Sequence, residues 1–113
     1  MNIISFAWTT AQLLEGKKTV TRREWSDDYA KRFKIGDRVC AYNKNPRNGG
    51  KKVAVIRITS IYKEWLHDMP ESDVEAEGGR WENRKAFIEA QGGDQEMWVI
   101  RFQVLSPPLR YNL

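Results

Sequence analysis

Gly16-Lys17-Lys18-Thr19-Val20-Thr21-Arg22-Arg23 packs four cations and two threonines into eight residues. A lysine amine that has lost its proton can take one from a threonine hydroxyl, which makes Lys18 and Thr21 a candidate reactive pair. To do so efficiently its pKa must fall from about 10.4 toward 7 to 8, a change of about 4 kcal/mol. Lys17, Arg22 and Arg23 are like charges close by, and desolvation in a cleft pushes the same way. Arg23 can hold a phosphate or a base carbonyl through two parallel donors; the alternative is an ion pair with Glu24 or Asp27. Lys18 as a cap on a helix C-terminus and Thr21 as an ordinary strand residue are the corresponding alternatives for the pair. His67, beside Asp68, is the only histidine and Cys40 the only cysteine, so neither a usual zinc spacing nor a histidine-pair ribonuclease mechanism can be assembled.

The elements that must position these residues read as short. Ile3 to Trp8 suggests a first strand, and Thr9-Thr10-Ala11-Gln12 has the form of a capping box ahead of Leu13-Leu14. Gly16 supplies a left-handed C-cap, after which β-branched Thr19-Val20-Thr21 leaves as a strand. Residues 18 and 21 are an odd number apart and would face opposite ways on a straight strand, so a bend is expected there. A helical turn over Asp27 to Phe33 ends near Gly36. Arg38 to Tyr42 and Val53 to Thr59 read as strands flanking a polar, basic loop, Asn43 to Lys52. Ser72-Asp73-Val74-Glu75 is a second capping-box pattern before a one-turn helix closed by Gly78-Gly79. Trp81 to Gln91 is the longer helix, and Met97 to Val104 a weakly alternating last strand. The sum is an α+β chain: five to six short strands with short flanking helices, as a small mixed barrel rather than a doubly wound sheet.

At 113 residues the expectation is one domain over 1–113, with 106–113 an irregular tail around Pro107-Pro108. Hydrophobic content of 41% with five tryptophans supplies a core and argues against disorder. With no basic leader and no apolar stretch of membrane length, the chain reads as cytoplasmic, with no membrane partner and as a monomer or weak dimer. Charge is uneven: residues 1–60 hold thirteen Lys/Arg against five Asp/Glu, and residues 61–113 hold six against ten. The basic clusters Lys17/Lys18/Arg22/Arg23, Lys31/Arg32/Lys34 and Lys44/Arg47/Lys51/Lys52 can form a polyanion-binding face, or simply solubilise edges and loops. Trp25 and Tyr42 flank them and can stack on a base; Trp8 does too, but packing in the core is expected of it.

Gly16-x-Lys18-x-x-x-x-Arg23, behind a short helix and ahead of a strand, resembles the Gly-x-Lys-x-x-x-x-Arg signature of ASCH domains, which belong to the PUA-like superfamily of small β-barrels. The Phe33-x-x-Gly36-Asp37 turn, two strands, an acidic helical segment and the Trp98 to Val104 strand follow in the family's order, so the likeness spans residues 3 to 105. The resemblance implies a cleft between barrel and helices that takes a nucleotide or an RNA segment without a cofactor or metal. One bacterial branch hydrolyses N(4)-acetylcytidine to cytidine and acetate, using a lysine as proton acceptor, a threonine as nucleophile and a glutamate as proton donor. Those roles fall here on Lys18, Thr21 and Glu77, with Glu75 as the alternative acid. Arg23, Arg22, Lys17, Trp8, Trp25, Tyr42, Lys44 and Arg47 are the candidate substrate or RNA contacts. Other members resemble non-catalytic RNA-binding modules or single-strand ribonucleases. Gly78-Gly79, the long basic loop and the extra charge of Arg22 depart from the pattern.

Overall fold

The computed structural model of the chain describes residues 1–105, so the expected tail at 106–113 lies outside the described residues. Nine elements follow in order: β1 (Ile3–Ser5), α1 (Thr10–Leu14), β2 (Val20–Arg23), α2 (Asp27–Ala30), β3 (Arg38–Tyr42), β4 (Lys52–Trp65), α3 (Asp73–Ala76), α4 (Arg84–Ala90) and β5 (Glu96–Val104). Short 3-10 turns cover Ala7–Thr9, Pro46–Asn48 and Leu66–Asp68. The strands form one five-stranded sheet in the order β1-β3-β4-β5-β2, with β1 parallel to β3 and the remaining pairs antiparallel. The fold is therefore the expected α+β architecture, but backbone pairing leaves β1 and β2 as open edges rather than closing a barrel.

β4 runs well beyond the expected Thr59, to Trp65. A bulge makes this possible, since the register with β5 shifts between Ile58 and Ser60. One extra residue there bends the strand and raises its twist. The half before the bulge pairs with β3, while β5 is paired along almost the whole strand. The weak alternation of β5 has a packing cause. Ile100 and Phe102 enter a core with Ile4, Phe6, Leu13, Phe33, Val39, Ile56 and Ile58, whereas Met97 enters a second cluster with Leu66, Met69, Val74 and Phe87. A strand covered on both faces has no solvent side to mark with polar residues.

Neither capping box forms. The Thr9 hydroxyl donates to the Phe6 carbonyl, because the 3-10 turn before α1 offers that acceptor first, and Ser72 is itself helical and makes no side-chain cap. The longer helix starts at Arg84, not Trp81, where Asn83 accepts from the Ala86 amide. Trp81 instead sets its ring edge-on to Phe87. The first strand stops at Ser5, and Ala7 takes a left-handed φ of 46°. Trp8 is thereby turned out, and at 66% exposed it is not a core residue as expected. Its ring lies under the Arg80 guanidinium instead.

Candidate active site

Two local devices bring the Gly16–Arg23 segment against the acidic half. α1 ends in a Schellman cap: Gly16 is left-handed at φ 80°, its amide bonds the Leu13 carbonyl, and the Lys17 amide bonds that of Gln12. The Lys18 amide also reaches Gln12, and the Thr19 amide bonds the Ala76 carbonyl at the end of α3. Next, Gly78 passes so close to α1 that a Cβ on it would lie 3.3 Å from the Gln12 Cβ. Glu77 is thus delivered beside Lys18 from 59 residues away.

Lys18 is 2% exposed, and its Nζ donates to the Glu77 carbonyl at 2.8 Å and to Glu77 Oε1 at 2.9 Å. Burial pushes its pKa below the ordinary lysine value; Glu77 opposes that shift, while Arg23 and Arg22 add to it. Arg22 donates to Glu77 Oε2 at 3.0 Å, to Asp73 at 2.6 Å and to Glu64 at 2.9 Å. Arg101 holds the other side of Asp73. Burial raises the Asp73 carboxyl, but the hydrogen bonds from Arg101 and Arg22 outweigh it and hold it below the usual carboxylate range. Lys18, Arg22 and Arg101 thus converge on Glu64, Asp73 and Glu77, each cation bonded to at least one of these carboxylates.

Thr21 and Arg23 form the other half. They lie two residues apart on β2, and Arg23 Nε donates to Thr21 Oγ1 at 3.1 Å while its Nη2 donates to the Ser5 carbonyl at 2.8 Å. Among the described residues no carboxylate pairs with Arg23, so the expected alternative with Glu24 or Asp27 is not the arrangement found. Its guanidinium lies over the Phe6 ring. Lys18 and Arg22 share Glu77, whereas Thr21 and Arg23 share a hydrogen bond. β2 is a sheet edge, so one cavity wraps around it and takes residues from both sides. Lys18, Thr21, Arg22, Arg23 and Glu77 all line this cavity of about 230 Å³, together with Trp8 and Trp81.

No protein-family model matches the sequence, and no curated protein matches it. Solved structures do match in shape. An ASCH protein variant from Zymomonas mobilis superposes with a TM-score of 0.64 at 16% identity, over 93% of this chain and 72% of its own. A protein of Enterococcus faecalis V583 described by the family label DUF984 gives 0.61 at 19% identity, over 93% and 76%. The ASCH domain from Lactobacillus crispatus gives 0.60 at 15% identity, over 91% and 79%. The chain has the ASCH fold.

Within the ASCH fold the remaining candidates separate by position. Of the two acids, Glu77 touches Lys18, whereas Glu75 is exposed and sets its carboxylate against Gly79. Trp25 and Arg47 line a neighbouring cavity, and one face of Trp25 is already stacked on Phe33 at 4.4 Å. Tyr42 pairs with Ser5 across β1 and β3, and Lys17 and Lys44 are exposed; none of these three borders the Lys18 cavity. Trp81 is a cavity residue that the sequence does not point to. Its spacing to Ile88 is that of a helix stripe, and nothing local signals that the chain before Arg84 is extended enough to set the ring in the cavity wall. His67 is exposed, bonded to Asp94 at 2.7 Å, and lines a different cavity with Glu71 and Arg84. Among the described residues no group of His, Cys, Asp and Glu has the arrangement of a metal site, and no helix is long and apolar enough to cross a membrane.

Proposed function

We propose that the chain is an amidohydrolase that cleaves the acetamide of N(4)-acetylcytidine or a closely related modified nucleoside. The observation that carries this reading is a buried lysine, held 2.9 Å from a buried glutamate, on the wall of a cavity shared with a threonine whose oxygen already accepts from an arginine. The reaction needs the Lys18–Glu77 pair, 2.9 Å apart, to share one proton. With the proton on Glu77, Lys18 is the free base and Glu77 the acid, which are the two forms the reaction needs. Thr21 Oγ1 attacks the acetyl carbonyl carbon while Lys18 takes the hydroxyl proton, directly or through one bridging water. The C–N bond then breaks as Glu77 gives its proton to the cytosine N4, leaving acetyl-Thr21. Water attacks that ester, one of its protons returns to Thr21 and the other passes to solvent as acetate leaves, so the pair again holds one proton. Arg23 holds Thr21 Oγ1 in place and, as a cation, favours the developing alkoxide. Trp81 offers the base an aromatic wall.

A single turnover with enzyme in excess over N(4)-acetylcytidine, quenched and analysed by peptide mass spectrometry, should find the acetyl group on the peptide containing Thr21. Full activity in Thr21→Val would exclude Thr21 as the nucleophile. Binding of single-stranded RNA without any turnover would favour the RNA-binding module instead.

A further inference from the structure

Arg23 and Ser5 are a shared wall. On one side lies the cavity of Lys18, Thr21 and Glu77; on the other lies a second cavity of about 500 Å³, bordered by Trp25, Tyr29, Asn45 and Arg47. The first, at about 230 Å³, is below the roughly 300 Å³ at which pockets begin to enclose a ligand of drug size. The second is lined by two guanidiniums, Arg23 and Arg47, and by no carboxylate. Among the described residues neither arginine is paired with an acid. The backbone at Arg47 is held in a turn: Asn45 Oδ1 accepts its amide, and Gly49, left-handed at φ 82°, closes the turn. Tyr29 is 37% exposed and stands edge-on to Trp25, giving the cavity an aromatic side as well as a cationic one.

We infer that the second cavity receives the nucleotide next to the acetylated one in a ribonucleotide chain, with Arg47 on the linking phosphate and the Trp25/Tyr29 pair against the neighbouring base. This rests on the amidohydrolase reading of the first cavity and narrows its substrate from a free nucleoside to a strand. The chemistry is what such a ligand needs: a cationic pocket without competing acids for the phosphodiester, and rings that stack on any base. It also gives the basic Asn43 to Lys52 loop a task that the first cavity does not use.

The test compares N(4)-acetylcytidine, its 5′-monophosphate and a five-nucleotide RNA with one central N(4)-acetylcytidine, using wild type and Arg47→Ala. The RNA should show kcat/KM at least tenfold above the nucleoside, and Arg47→Ala should remove most of that advantage. An advantage already complete in the monophosphate would mean a phosphate site only, without a neighbouring nucleotide, and would overturn the inference. Equal kcat/KM for all three substrates, or an equal fall for all three in Arg47→Ala, overturns it too while leaving the amidohydrolase reading standing. Anisotropy titration of a labelled, unacetylated five-nucleotide RNA separates the opposite failure. If none of the substrates turns over yet the RNA binds, and Arg47→Ala weakens it and lowers the salt slope by about one, the second cavity stands without the enzyme. No binding and no turnover sinks both.

Discussion

Lys18 sits in an environment that works against its own charge. Desolvation is the leading cause of its lowered pKa, and the ion pair with Glu77 only partly offsets it. If the pair works with one shared proton, kcat/KM should rise with pH as the pair sheds a second proton and fall as it loses the last, with the falling limb below the ordinary lysine value of 10.5; a pH–rate profile reads this directly. Removing the amine in Lys18→Ala should cost on the order of 10² to 10⁴ in kcat, the range usual for a lost general base. Thr21→Ser, which keeps a hydroxyl, should retain far more activity than Thr21→Val. The same lysine has a signature in stability. Its folded pKa lies below its unfolded one, so across that interval the unfolded chain binds more protons and this group's contribution to stability grows as pH rises. Lys18→Met should flatten the rise in Tm over the alkaline side; an unchanged slope would count against a depressed lysine.

At the level of elements, the site is hung on two glycines. A Cβ at Gly16 would meet nothing within 4 Å, so Gly16→Ala should cost only what its positive φ demands, roughly 1–2 kcal/mol by urea denaturation. Gly78→Ala meets both φ 124° and the Gln12 side chain at 3.3 Å, so it should cost more and also lower turnover by displacing Glu77. The first glycine is legible in the sequence because a Schellman cap is a contact among residues a turn apart. The second is only a doublet after an acid; its purpose is a close approach to α1, which no local pattern encodes. The capping boxes mislead for a related reason, since the nearest acceptor for Thr9 belongs to a 3-10 turn that a first strand running to Trp8 does not allow for. β4 reads short because a bulge flips the side-chain parity at Thr59, and a period-2 pattern stops there.

Over the whole molecule, part of the uneven charge of the two halves is an internal fit. Lys18 and Arg22 from the basic half are engaged by Glu64, Asp73 and Glu77 from the acidic half, so the polyanion-binding face shrinks to the cations outside that junction. Asp73 is the keystone, with Arg22 and Arg101 both on its carboxylate. Asp73→Ala should cost about 3–5 kcal/mol, the range for breaking a buried ion pair on one side. Its depressed pKa means that its contribution is present above the unfolded value of about 3.9 and is lost as pH falls through the folded one. Acid unfolding should therefore lose steepness in Asp73→Asn. Composition shows the asymmetry, and the resemblance puts Lys18, Thr21 and Glu77 in one site; that Lys18 and Arg22 pair with acids of the other half is out of reach of sequence, because these pairs span 42 to 59 residues. Purified chain incubated with N(4)-acetylcytidine and resolved by chromatography should yield cytidine and acetate in equal amounts, with the initial rate falling by on the order of 10² or more in a folded Lys18→Ala; no cytidine even with wild-type enzyme in excess would contradict the amidohydrolase reading.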